Sequence, residues 1–133
     1  MARKKDILIV EDQVELLKLE TLLLTSRGYT VRGAVDGRMA LDCLQSHKPD
    51  LVVLDIMLPE LNGYEVCQQI KGDAATRNIP VVMVTAKNSR EDMAKAEEVG
   101  ADCYITKPFK SADFIATIQG FLSGATASLP STA

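Results

Sequence analysis

At 133 residues the chain has the size of one domain and is long enough to bury a real core. Hydrophobic residues make up 47% and charged residues 25%, the balance of an ordinary soluble protein, and the longest apolar stretches fall well short of the roughly 18 residues a membrane span requires. A formal net charge of -3 with no long block of Lys or Arg argues against this chain holding nucleic acid by its phosphates.

The basic start, Met1-Ala2-Arg3-Lys4-Lys5, is followed by Asp6 and then by Glu11 and Asp12, which leaves no apolar region adequate for a signal peptide. Cytoplasmic residence and no membrane insertion are expected. Cys43, Cys67 and Cys103 have neither CxxC nor Cys/His ligand spacing, so they read as buried or half-buried thiols.

The hydrophobic period switches repeatedly between strand-like runs and helix-like spacing. A first strand is predicted over Asp6–Val10 and a first helix from near Val14 to Arg27, with Leu16, Leu17, Leu23 and Leu24 inward and Gly28 as its stop. Thr30–Ala34 reads as a strand. Asp36-Gly37 supplies a turn and cap before a second helix, about Arg38–Ser46, in which Met39, Ala40, Cys43 and Leu44 can form one apolar face. Asp50–Asp55 is the clearest strand, because Leu51-Val52-Val53-Leu54 shows no alternation, as expected where helices cover both faces of a parallel sheet.

Pro59 and Asn62-Gly63 mark a loop, and Tyr64–Lys71 resumes a helical pattern through Val66, Cys67 and Ile70. The fourth strand is predicted over Val81–Thr85. Ser89 with Asp92 resembles a capping box for a fourth helix, about Arg90–Val99, ended by Gly100. A fifth strand, about Asp102–Thr106, precedes a last helix capped by Ser111 and carrying Phe114, Ile115, Ile118, Phe121 and Leu122. From 123 to 133 small, polar and turn-forming residues dominate, which reads as a disordered tail or truncated linker after a domain over 1–122. Five βα units with right-handed crossovers imply an α/β three-layer sandwich around a parallel five-stranded sheet.

In such a sheet the functional edge is the carboxyl end of the strands. Four of the runs stop there at a polar residue of a different kind: Glu11-Asp12, Asp55, Thr85, and Lys107 before Pro108. Taken singly each has a bland role, Asp12 as a helix cap, Glu11 as a solvated strand end, Asp55 as a loop acid, Thr85 and Lys107 as ordinary strand and surface residues. Taken together they read as a phosphoryl and divalent-metal site. Asp55, ending the central apolar strand, is placed as the nucleophile that would form an aspartyl phosphate. Glu11 and Asp12 suit a hard cation, for which Mg2+ with its oxygen preference is expected. Lys107 and Thr85 supply a mobile charge and a hydroxyl for phosphoryl oxygens.

These residues, with Ala86 after Thr85 and Pro108 after Lys107, resemble the receiver domain of two-component response regulators, the CheY-like family, over about Asp6 to Leu122. The resemblance implies a flavodoxin-like fold with strand order 2-1-3-4-5 and phosphotransfer to Asp55 from a histidine kinase or histidine phosphotransfer protein. It also implies metal contact by the Met57 backbone carbonyl, a phosphoryl contact from the Ala86 N–H, and a cis Lys107-Pro108 peptide. Thr85 and Tyr104 fall at the family's switch positions, and the output face would be the fourth helix, fifth strand and fifth helix. The downstream partner would be a separate effector protein or an output domain not included here, and the oligomeric state stays open.

Met57 occupies the position two past the nucleophile, where a turnover phosphatase wants an acid, so a switch without enzyme turnover is expected. Other readings are a degenerate receiver that only binds proteins, a flavodoxin-like nucleotide-binding protein, or an acidic-nucleophile hydrolase. The first should lack part of the site set, the second lacks GxGxxG and Walker motifs, and the third is disfavoured by Met57. His47, the only histidine, reads as a capping or solvated residue rather than a phosphodonor.

Overall fold

The computed structural model describes residues 4–123, so most of the expected tail at 123–133 lies outside the described residues. Strands and helices alternate: β1 (Asp6–Val10), α1 (Val14–Thr25), β2 (Thr30–Ala34), α2 (Gly37–Ser46), β3 (Leu51–Leu54), α3 (Gly63–Gly72), β4 (Val81–Thr85), α4 (Arg90–Glu98), β5 (Cys103–Thr106) and α5 (Ser111–Leu122). The strands form one parallel sheet in the order β2-β1-β3-β4-β5, the order the resemblance implied.

The unbroken apolar runs are explained by two separate cores. Ile7, Ile9, Leu51, Val53, Val82 and Val84 pack with Leu24 of α1 and with Phe114, Ile115 and Ile118 of α5. The intervening Leu8, Val10, Val52, Leu54, Val81 and Met83 pack on the other face with residues of α2, α3 and α4. Successive side chains of a strand point to opposite faces, so covering both faces demands an apolar residue at every position. Among the described residues no helix is long and apolar enough to cross a membrane.

Local signals place most helix ends. Asp36 accepts from the Met39 amide at 2.8 Å, Asn62 and Glu65 form a capping box on α3, and Ser89 and Asp92 form the expected one on α4. Gly28 and Gly100, with φ of +92° and +97°, follow α1 and α4 in the left-handed region that glycine enters without a Cβ penalty. Two expectations are corrected. Ser111 is the first residue of α5, its N-cap is Lys110, and no side chain caps that helix. Met39 is exposed, so the buried stripe of α2 is Gly37, Ala40 and Leu44.

Gly63 sets how closely α3 approaches the end of β3. Its amide donates to the Ile56 carbonyl at 2.8 Å, and a Cβ there would lie 2.2 Å from the Asp55 carbonyl oxygen. Backbone on both sides leaves nothing flexible to yield. Gly63→Ala is therefore expected to destabilise the fold by about 3 kcal/mol, read as a lowered urea midpoint; an unchanged midpoint would mean that this loop relaxes freely.

Candidate phosphoacceptor site

Register brings the polar strand ends together. Val10 pairs with Ala34 on one side and Leu54 on the other, and the ladder continues one residue further through Glu11 N–H to the Ala34 carbonyl at 2.9 Å and Asp55 N–H to the Val10 carbonyl at 3.1 Å. Glu11 and Asp55 thus leave adjacent strands at one level. Across β4 and β5, Thr85 pairs with Thr106, and the Lys107 amide donates to the Thr85 carbonyl at 2.8 Å.

The Lys107 ammonium crosses the edge from β5 to reach both acids, at 2.9 Å from Glu11 Oε1 and 3.0 Å from Asp55 Oδ2. Each acid holds a second donor on its other oxygen: the Gln13 amide on Glu11 Oε2 at 3.1 Å and the Met57 amide on Asp55 Oδ1 at 3.2 Å. Glu11 and Asp55 are buried, and Asp12, beside them, is exposed. One carboxylate oxygen from each of Glu11, Asp12 and Asp55 lies within 4.8 Å of the others. Three acids against one ammonium leave an excess of negative charge in an all-oxygen set, which fits a hard divalent cation.

Burial pushes the Glu11 carboxyl above its ordinary value, and the hydrogen bond from Lys107 pulls the other way. Burial disfavours the Lys107 charge, but its bonds to Glu11 and Asp55 outweigh that and raise its pKa, so the ammonium persists.

The remaining residues ring this centre. Thr85 is fully buried at the end of β4, and its Oγ1 accepts from the Lys87 amide at 3.3 Å. Ala86 follows it, exposed. Tyr104 is buried, with its hydroxyl donating to the Lys87 carbonyl at 2.6 Å. The Met57 side chain is 56% exposed, two residues past Asp55. The Lys107-Pro108 peptide is cis, and Phe109 beyond it stacks on Phe114 of α5. His47 lies elsewhere, capping α2 and paired through Nε2 with Asp6 at the start of β1.

Comparison with known proteins identifies the family. The family model of the response regulator receiver domain matches residues 7–119. The chain belongs to the response regulator receiver family. It is 38% identical over 119 residues to the DNA-binding response regulator MtrA of Mycolicibacterium paratuberculosis, covering 90% of this chain and 52% of that protein. It is 39% identical over 128 residues to the alkaline phosphatase synthesis transcriptional regulatory protein PhoP of Bacillus subtilis, covering 96% and 52%. The chain thus spans about half the length of these relatives. A CheY-like receiver domain protein from Methanospirillum hungatei superposes with a TM-score of 0.86 at 29% identity, over 91% of this chain and 95% of that one.

One group in this receiver escaped the apolar reading of α1. Glu20 is buried on the inner face, and neither carboxylate oxygen has a hydrogen-bond partner among the described residues. Its spacing, three after Leu17 and four before Leu24, was the available signal. Burial first, then the charge of Glu11, push its pKa up to about 8 against the pull of Lys107, with Asp55 adding to the rise.

Between about 4.5 and about 8 the folded receiver holds a proton on Glu20 that the unfolded chain has released, so rising pH removes stability across that window. Below it the penalty is absent, and above it the penalty is complete. Glu20→Leu, which keeps the volume apolar, should remove on the order of 3 kcal/mol of this pH dependence. Urea midpoints at about pH 5 and about pH 8.5 in Mg2+-free buffer check it; parallel profiles for the two proteins would contradict the assignment.

Proposed function

We propose that Asp55 accepts a phosphoryl group from a phosphohistidine on a histidine kinase or histidine phosphotransfer protein, in a cytoplasmic two-component phosphorelay. The observation that carries this reading is the Lys107 ammonium seated on both Glu11 and Asp55, with Asp12 alongside. A carboxylate already held by a mobile cation, at a sheet edge with further acids, is arranged to receive a group more negative than itself.

An Asp55 oxygen attacks phosphorus, the P–N bond to the donor imidazole breaks, and its electron pair returns to the ring nitrogen, which takes up a proton. Asp55 Oδ1 is oriented by the Met57 amide and Oδ2 by Lys107. Glu11, Asp12, Asp55 and the Met57 backbone carbonyl would hold Mg2+, which would supply positive charge to offset that of the incoming phosphoryl group. Lys107 then follows the new charge, while the Thr85 hydroxyl and the Ala86 N–H donate to the remaining oxygens. The phosphoryl group brings about -1.5 to -2 charge. The response of Thr85, Lys107 and Tyr104 to it reshapes the face of α4, β5 and α5 that meets an effector, either a separate protein or a further domain.

The relative MtrA is named a DNA-binding regulator. This chain, at net -3 and without a long block of Lys or Arg, has no charge pattern that favours DNA, so any such output would run through the effector.

The receiver is a switch and not a turnover enzyme, catalysing only its own phosphotransfer and slow dephosphorylation. Met57 stands where a hydrolase would place an acid or base, and a thioether neither activates water nor protonates a leaving group. With acetyl phosphate and Mg2+, intact-mass analysis should show one phosphoryl group on the unaltered chain and none on Asp55→Asn; equal labelling of both proteins would refute Asp55 as acceptor. Replacing Met57 by Asp should shorten the lifetime of the phosphorylated form by at least about tenfold, timed by loss of the adduct, whereas an unchanged lifetime would mean that the lack of an acid or base at this position does not set the rate of hydrolysis.

A further inference from the structure

A chain of contacts leaves the site at Asp55 and returns to it at Thr85 by way of a residue with no part in the phosphoryl chemistry. After Asp55, the Ile56 carbonyl accepts from the Gly63 amide at 2.8 Å, and the missing Cβ of Gly63 lets α3 start against the Asp55 backbone. The next residue, Tyr64, is buried in the core shared by α2, α3 and α4. Its hydroxyl donates to the Asp92 backbone carbonyl at 3.1 Å and lies 3.4 Å from Asp92 Oδ1, in the first turn of α4. Lys95, one turn on, sits 4.7 Å above the Tyr64 ring.

Asp92 in turn holds the segment that leads back to the site. Its Oδ2 accepts from Ser89 N at 3.2 Å and Ser89 Oγ at 2.8 Å, and Oδ1 lies 3.8 Å from the Lys87 ammonium. Lys87 carries the amide that donates to Thr85 Oγ1 and the carbonyl that accepts from Tyr104. A hydroxyl that accepts a fixed N–H keeps its own O–H for another partner, so the position of the Lys87 backbone aims the Thr85 proton.

We propose that Tyr64 is a positioning residue of the switch: by anchoring Asp92 and the first turn of α4 to α3, it holds the loop from Lys87 to Ser89 in the place that orients Thr85 toward a phosphoryl group on Asp55. The inference rests on Asp55 as phosphoacceptor and adds a residue outside the acid site. It assigns the Tyr64 hydroxyl a bias on phosphoryl binding and none on the cation, because that hydroxyl reaches only Asp92 and through it the end of β4, while the link to Asp55 runs through the backbone of Ile56 and Gly63, which removing the hydroxyl leaves in place. Burial, and then the Asp92 charge, raise the phenol above its ordinary value, so it remains a donor at neutral pH.

The test is the affinity of the full chain for beryllofluoride with Mg2+, alongside its affinity for Mg2+ alone. Tyr64→Phe keeps the ring and removes the donor. It should weaken beryllofluoride binding about 3- to 10-fold, the effect of one lost hydrogen bond, with Mg2+ affinity unchanged. Ser89→Ala breaks the same chain further along, so the double variant should lose no more than the weaker-binding single variant. Unchanged beryllofluoride affinity in Tyr64→Phe, a parallel loss of Mg2+ affinity, or strictly additive losses in the double variant would each overturn the role of Tyr64. Failure of the unaltered chain to bind beryllofluoride would instead remove the phosphoacceptor reading, and this inference with it.

Discussion

Two buried carboxylates at the ends of neighbouring strands cannot share one edge of a sheet without a cation between them. Lys107 meets that requirement from 96 residues away from Glu11 and 52 away from Asp55 in sequence. Much of the architecture follows from satisfying it. The order β2-β1-β3-β4-β5 puts the strand that carries Glu11 next to the strand that carries Asp55, and the β4–β5 pairing, extended through the Lys107 amide to Thr85, brings the lysine to the same edge. The acids are stabilised only where the fold is complete, so the site and the global fold are not separable elements of this protein.

The same edge accumulates further unfavourable terms. Burial raises the pKa of Glu11 despite Lys107, and Glu20 lies buried without a hydrogen bond from any described residue while feeling the charges of Glu11 and Asp55. Such groups cost stability, and the two cores beneath them, one on each face of the sheet, offset that cost. An arrangement with excess negative charge responds strongly to added charge of either sign. That property suits a switch: on the proposed reading a bound cation would relieve the acids, and a phosphoryl group on Asp55 would draw the Lys107 ammonium toward itself.

The fold was legible because every strand position facing either core had to be apolar, which made Leu51–Leu54 and Val81–Val84 conspicuous, and because caps such as Asp36 and Ser89 act locally. The site was legible because strand ends converge in a parallel sheet whatever the intervening helices do. What stayed hidden depends on packing between elements distant in sequence. The link from Tyr64 to Asp92 spans 28 residues and two helices, and nothing in Asn62-Gly63-Tyr64 marks the tyrosine as more than core. Glu20 sat at the helical spacing of the inner leucines, but an acid at such a position reads as polar surface until burial is seen. Ser111 has the chemistry of a cap, yet the helix starts at it, so its side chain falls one position too far along to serve.

The claim on which the rest depends is that one carboxylate, Asp55, becomes the acyl phosphate. Acyl phosphates are reduced by borohydride to the alcohol, so treating the chain first with acetyl phosphate and Mg2+ and then with borohydride, followed by peptide mass mapping, reads the acceptor directly. The account predicts conversion of Asp55 alone to homoserine, with Glu11 and Asp12 untouched. Reduction at Glu11, Asp12 or any other acid, with Asp55 intact, would contradict it.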